Sequence, residues 1–149
     1  MENYSVLMSL YIKEKPEYLK LAIQSMVNQT YPPDEIVIVK DGQIGKELQS
    51  VLDEFVKQFP NLFHIVGYDQ NRGLGLALNY GLEHCKNELV ARMDTDDIAK
   101  PNRCEKQVEM FEKKPELAIV GSAVDEFYGK PEHITGRRVV PTKYEEIYE

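Results

Sequence analysis

The chain has 149 residues, of which 42% are hydrophobic and 29% charged, and its net charge at pH 7 is −7. An acidic chain is a poor partner for nucleic acid, and for anionic lipid by charge alone, because both partners are polyanions. No apolar run is long enough to cross a bilayer, so we predict no transmembrane segment in this chain.

The first half of the chain alternates between strand and helix patterns. An apolar stretch at 5–11 predicts a strand, and a helix with apolar residues at three- and four-residue spacing begins at Pro16. The β-branched run at 35–40 predicts a buried strand, and a second amphipathic helix follows over 48–59. A third strand is predicted at 63–68.

The second half continues the alternation. Gly73 and Gly75 open a third predicted helix, and residues 89–93 read as a buried strand. Pro101 begins a fourth helix, and 117–124 is a fifth strand candidate. Such alternation predicts an α/β fold: a mostly parallel sheet with helices on both faces and right-handed crossovers.

The far end of the chain carries a helix start without a matching helix end. Thr142 and Glu145 form a capping-box pattern that predicts a helix beginning near Pro141. No C-cap pattern follows before Glu149. We therefore expect residues 1–149 to form one domain that is the front part of a longer protein.

Polar residues follow each of the first four predicted strands. In parallel sheets of this kind, ligands bind beyond the carboxyl ends of the strands, where these residues converge. The residues are Tyr11 and Lys13, then Asp41 and Gly42, then Asp69, Asn71, Arg72 and Gly73, and finally Asp94, Thr95, Asp96 and Asp97.

The acidic loop after the fourth strand is the strongest chemical signal. Three carboxylates within four residues repel one another and suit a hard divalent cation, Mg²⁺ or Mn²⁺. Arg72 and Lys13, which follow the third and first predicted strands, suggest a diphosphate bridged to that metal. The structural alternative is that Asp96 or Asp97 caps the helix near Pro101 and that Asp94 is merely solvated.

The sequence resembles the family 2 inverting nucleotide-sugar glycosyltransferases, which have the GT-A fold, a Rossmann-like sheet. Nearly the whole chain takes part in the resemblance, because five motifs occur in the family's order and spacing. They are VLMSLY, SMVNQTYP, EIVIVKDG, NRGLGLALNYGL and ARMDTDDIAKPNRCEKQ. The chain would then be the nucleotide-sugar-binding part, ending before the acceptor-binding half.

The resemblance implies a role for residues at every strand end. Ser9 and Tyr11 would line the nucleotide pocket, and Lys13 would approach the phosphates. Asp41 would accept a hydrogen bond from the ring N–H of the base, typically uracil. The segment Asn71, Arg72 and Gly73 would flank the nucleotide, with the Arg72 side chain near the base or the diphosphate.

The resemblance also assigns the acidic loop. Asp94, Thr95 and Asp96 match the family's DxD motif, in which Asp96 would bind Mn²⁺ or Mg²⁺. Asp94 would reach the ribose or a metal-bound water, and Asp97 is a third candidate ligand. Thr95 would belong to the nucleotide-binding set.

Two positions depart from the family pattern. Lys40 precedes Asp41 where the family often has a second aspartate, and Leu78 replaces a frequent arginine in the third helix. An inverting enzyme also needs a general base, and the family's base would lie beyond Glu149. We therefore expect this chain by itself to bind nucleotide without transferring sugar.

The implied reaction moves a sugar from a UDP-sugar to a glycan or lipid-linked acceptor. It would take place in the cytoplasm, with the full-length protein peripheral at the inner face of the cell membrane.

Two alternatives to this function remain open at this point. One is a nucleotidyltransferase that makes sugar nucleotides, disfavoured because the loop at 11–15 has no glycine. The other is a non-catalytic nucleotide-binding module.

Overall fold

The computed structural model describes residues 1–118, 120, 124–127 and 134–138. Close contacts divide the chain into two compact units, Met1–Glu109 and Met110–Glu149. The first unit holds four strands, and the second holds a two-stranded antiparallel sheet. The strands are β1 (Tyr4–Leu10), β2 (Glu35–Asp41), β3 (Phe63–Tyr68), β4 (Leu89–Arg92), β5 (Val124–Phe127) and β6 (Ile134–Arg138).

The helices follow the predicted order. None of those in the described part of the chain is long and apolar enough to cross a bilayer. The third begins directly after Gly73, as predicted, and the fourth begins two residues after Pro101. The helices are α1 (Pro16–Val27), α2 (Lys46–Gln58), α3 (Leu74–Leu82) and α4 (Arg103–Lys113).

The sheet of the first unit is entirely parallel, with the strand order β3-β2-β1-β4. The central strands β1 and β2 are almost wholly buried, as expected for strands covered on both faces. Apolar residues of α1, α2 and the start of α4 pack on one face, and α3 packs on the other. The predicted parallel sheet with helices on both faces is therefore confirmed.

The predicted fifth strand is only partly within the described residues. Leu117 and Ala118 are not in a strand, whereas Val124 begins β5. β5 pairs with β6 in an antiparallel hairpin instead of joining the parallel sheet. The helix predicted near Pro141 lies outside the described residues.

Strand register brings the carboxyl ends to one edge. Leu10 pairs with Lys40 across β1 and β2, and Asp41 pairs with Tyr68 across β2 and β3. Beyond the end of β4, the amide of Met93 donates to the Leu7 carbonyl at 3.0 Å. This bond continues the ladder and delivers the acidic loop to the same edge.

Candidate functional site

A cavity of about 620 Å³ opens at the carboxyl ends of β1, β2 and β4. We call it the strand-end cavity. It gathers residues from four separate loops, as the convergence of strand ends predicts. Its lining residues are Ser9, Tyr11, Lys13, Glu14, Lys15, Tyr18, Asp41, Asn71, Gly73, Leu74, Arg92, Asp94, Thr95 and Asp96.

The cavity thus includes most of the residues that the sequence singled out. Gly42 and Asp97 are not among the lining residues. Asp69 and Arg72 line a neighbouring cavity of about 510 Å³ instead. Arg72 was expected to flank the nucleotide. Its guanidinium carbon lies 4.4 Å from the centre of the Tyr68 ring, a cation–π contact. The backbone of Arg72 still faces the site, because its amide donates to Asp41.

Asp41 is the most heavily bonded side chain of the site, and only 4% of it is exposed. Its Oδ1 accepts hydrogen bonds from the Tyr68 hydroxyl and from the Arg72 amide, both at 2.7 Å. Its Oδ2 accepts from the Gly73 amide at 3.1 Å. These donors compensate for burying the charge. Asp41 therefore ties the end of β2 to the loop that opens α3.

Gly42 makes the close approach of this loop possible. Its φ is +88°, a region that favours glycine. A Cβ added there would lie 2.7 Å from the Asn71 amide nitrogen. The Asn71 side-chain amide also donates to the Asp41 carbonyl at 3.3 Å. The sequence placed Gly42 at the end of the second strand, and the structure adds that the loop containing Asn71 packs directly against it.

The acidic loop forms a compact carboxylate cluster. Asp94, Asp96 and Asp97 are exposed, and each offers an oxygen within 4.8 Å of the others. Oxygen ligands at this spacing fit a hard divalent cation. Partial burial, followed by the charges of Asp96 and Asp94, raises the pKa of the Asp97 carboxyl. The part of the rise that comes from the neighbouring carboxylates, each a smaller cause than burial, reflects a repulsion that a bound cation would relieve.

The alternative in which these acids cap a helix does not fit the structure. A capping residue immediately precedes the helix that it caps. α4 begins at Arg103, well beyond Asp96 and Asp97. The Asp97 amide instead donates to the Asp94 carbonyl at 3.3 Å, which closes a turn within the loop.

Several cavity residues were missed by sequence reasoning. They lie in the strand-end loops or in the first or last turns of the adjoining elements, so proximity in the sequence to the residues that were found was the available signal. Two of them, Lys15 and Arg92, bring positive charge to the cavity. The Arg92 Nη2 lies 3.3 Å from Asp94 Oδ1. The missed residues are Glu14, Lys15, Tyr18, Leu74 and Arg92.

Glu14 links the first strand-end loop to the acidic loop. Its Oε2 accepts a short hydrogen bond from the hydroxyl of Thr95, which is buried, and its Oε1 accepts from the Lys15 amide at 3.0 Å. The middle residue of the acidic motif therefore points away from the solvent and toward a carboxylate. This contact holds Asp94 and Asp96, on either side of it, in a defined backbone path.

We expect Thr95→Val to lower the free energy of unfolding by about 1–2 kcal/mol, because it keeps the side-chain shape but deletes a bond to a carboxylate. Thr95→Ser retains the hydroxyl and should restore part of the loss. Urea denaturation of the three proteins checks this. A valine variant as stable as the wild type would show that the Glu14 contact contributes nothing.

Fold and cavity together define an α/β domain with a polar cavity at the carboxyl ends of a parallel sheet, which is where domains of this architecture bind their ligands. The chain belongs to glycosyl transferase family 2, whose family model matches residues 5–148. This confirms the family resemblance seen in the sequence motifs.

Two relatives show how far the similarity extends. An uncharacterized glycosyltransferase of Haemophilus influenzae is 49% identical over 145 residues, which is 97% of this chain and 54% of that protein. The Escherichia coli UDP-Gal:alpha-D-GlcNAc-diphosphoundecaprenol beta-1,3-galactosyltransferase is 41% identical over 129 residues. The match covers 87% of this chain and 46% of the length of the E. coli protein. The chain thus spans about half the length of the curated relatives it matches.

Among solved structures, the mannosyltransferase PcManGT of Pyrobaculum calidifontis, in complex with GDP-Man and Mn²⁺, resembles the fold. The TM-score is 0.66 at 22% identity, with 87% of this chain and 36% of that chain covered. At this identity the likeness concerns the fold, and it confirms the expected GT-A architecture.

Proposed function

We propose that this chain is the donor-binding part of a metal-dependent, inverting glycosyltransferase that uses a UDP-sugar. The observation that carries the proposal is the strand-end cavity, whose lining combines the buried carboxylate of Asp41 with Asp94 and Asp96, two members of the acidic cluster that Asp97 completes. A nucleotide sugar carries its base and its diphosphate in one molecule. It therefore needs a group that binds the base and a cation that binds the diphosphate within the length of one ligand.

The nucleoside would bind at the β1 and β2 ends of the cavity. Ser9 offers a hydroxyl, the exposed ring of Tyr11 offers a stacking surface, and Asn71 and Gly73 flank Asp41. Arg72 would contribute its backbone to this region, while its side chain would need to leave Tyr68 to reach the ligand. Lys13 would approach the phosphates, beside Thr95.

The hydrogen bonds of Asp41 favour a base that presents a single donor. A carboxylate oxygen accepts about two hydrogen bonds. Oδ1 already has two partners, whereas Oδ2 has one and retains one position. Uracil presents a single ring N–H to such an acceptor, whereas guanine presents two adjacent donors. The name of the E. coli relative also specifies a UDP-linked sugar.

The cation would be held by Asp96 and Asp94, with Asp97 as the third ligand. Carboxylate oxygens suit both Mn²⁺ and Mg²⁺. When bound, the cation would neutralise charge on the departing diphosphate. The solved mannosyltransferase with the same fold contains Mn²⁺.

The acceptor would be a glycan or a lipid-linked sugar. The name of the E. coli relative specifies a diphosphoundecaprenol-linked acceptor, which supports the lipid-linked class. Such an acceptor would bring the full protein to the cytoplasmic face of the cell membrane, although this chain binds the donor.

Calorimetric titration with UDP, GDP, CDP and dTDP, each with Mn²⁺ and then with EDTA, tests the proposal. We expect UDP to bind most tightly and only with metal. Equal binding in EDTA would contradict the role of the acidic cluster. A preference for GDP would contradict the role of Asp41, and no binding by the folded chain would contradict the donor site itself.

A further inference from the structure

Tyr68 is the neighbour of Asp41 in the sheet, but it does not line the strand-end cavity. It is the last residue of β3, paired in register with Asp41 on β2. It lines the neighbouring cavity together with Gly67, Asp69, Gln70 and Arg72. Any effect of Tyr68 on a ligand in the strand-end cavity must therefore pass through another residue.

Two contacts give Tyr68 such an effect. Its hydroxyl donates to Asp41 Oδ1 at 2.7 Å, and its ring face holds the Arg72 guanidinium at 4.4 Å. Burial and the bond to Asp41 raise the pKa of the Tyr68 hydroxyl to about 12. The hydroxyl consequently stays protonated and donates at every physiological pH.

We propose that Tyr68 is a positioning residue of the nucleotide site, acting by orienting the Asp41 carboxylate and by holding Arg72 outside the cavity. The proposal rests on the proposed function, since it assumes that Asp41 receives the base. The Tyr68 hydroxyl is the second donor to Oδ1, so the remaining acceptor position of the carboxylate is on Oδ2. Without the hydroxyl, the carboxylate loses one of its three donors and is held only by the Arg72 and Gly73 amides, so its orientation is less restricted.

Tyr68→Phe isolates the hydroxyl, because it keeps the ring beneath Arg72. Tyr80→Phe is a matched control. Tyr80 packs edge-on against Tyr68 at 5.2 Å between ring centres, yet its hydroxyl donates to the Gly67 carbonyl at 3.3 Å and not to Asp41. Both variants thus delete one half-buried hydroxyl from the same aromatic pair.

The test compares UDP with pyrophosphate, both titrated with Mn²⁺, in the 149-residue chain and the two variants. We expect Tyr68→Phe to weaken UDP binding about fivefold, in keeping with one lost hydrogen bond. Pyrophosphate binding should be unchanged, because it engages only the acidic cluster and its neighbours. Tyr80→Phe should leave both affinities at the wild-type level, which a merely structural effect would not do.

Hydrogen exchange at the Arg72 and Gly73 amides adds a readout that needs no ligand. Both amides donate to Asp41 and should exchange faster in Tyr68→Phe than in Tyr80→Phe. Unchanged exchange and unchanged UDP affinity in Tyr68→Phe would overturn the proposal. If the wild-type chain binds no UDP, the proposed function fails, and the amide exchange alone still decides whether Tyr68 orients Asp41.

Discussion

Replacing Asp96 with asparagine should reduce Mn²⁺-dependent UDP binding by about 100-fold, as expected when a charged ligand contributing about 1.5–3 kcal/mol is lost. Asparagine keeps the shape of the side chain and one carbonyl oxygen, but it removes the negative charge that attracts the cation. Asp94 and Asp97 remain, so residual metal binding is expected at high Mn²⁺ concentration.

The variant should fold at least as well as the wild type without metal. Asp96 is exposed, and its charge contributes to the raised pKa of Asp97. Deleting that charge relieves a repulsion and breaks no buried contact. A loss of affinity in a chain with unchanged or higher thermal stability would therefore report the cation site and not unfolding.

Asp53→Asn provides the control for Asp96→Asn. Asp53 lies on α2 and accepts a hydrogen bond from Gln49 at 3.0 Å, away from the lining of the strand-end cavity. Both changes reduce the negative charge by one. Calorimetry with UDP and Mn²⁺ should separate them clearly. Equal affinities for the two variants would mean that Asp96 contributes only to the net charge.

Replacing Gly42 with alanine should lower the free energy of unfolding by about 2–5 kcal/mol and weaken UDP binding. A non-glycine residue at positive φ costs about 1–2 kcal/mol. Overpacking adds about 1–3 kcal/mol, because the new Cβ would meet the Asn71 nitrogen at 2.7 Å. That nitrogen is backbone, so relief requires the loop to move away from Asp41.

Gly73→Ala separates the two costs. Gly73 also has a positive φ, +94°, but an added Cβ meets nothing within 4 Å. We expect a loss of about 1–3 kcal/mol there from the backbone conformation alone, since φ +94° with ψ 163° is a region that residues other than glycine rarely adopt. Urea denaturation of both variants measures the difference. Equal losses would show that the contact between Gly42 and the 71–73 loop imposes no steric limit.

Much of the architecture was readable from the sequence. The buried β-branched run of β2 and the helical spacing after Pro16 each indicate their element, because side-chain periodicity reports which faces are covered. The strand ends then locate the site, since parallel strands bring their carboxyl ends to one edge. The acidic cluster of Asp94, Asp96 and Asp97 could be recognised in the sequence because its members are neighbours in the chain.

The fifth strand candidate at 117–124 lies only partly within the described residues, and its described part differs from the prediction. Apolar residues at 117–124 were expected to form it, yet Leu117 and Ala118 lie outside any strand and Val124 opens an antiparallel hairpin. A short apolar run records burial but not the partner that covers it. Pairing partner and direction depend on the path of the chain.

The order of elements and the edge that carries the site follow from sequence patterns, and the family resemblance adds the candidate residues for the base and the cation. The contacts within the site came from the folded structure: Asp41 is held by Tyr68 and two amides, the Arg72 side chain turns to Tyr68, and Thr95 bonds to Glu14. Periodicity is a local property of the chain. Contacts between side chains on different strands depend on register and loop path, which no local pattern specifies.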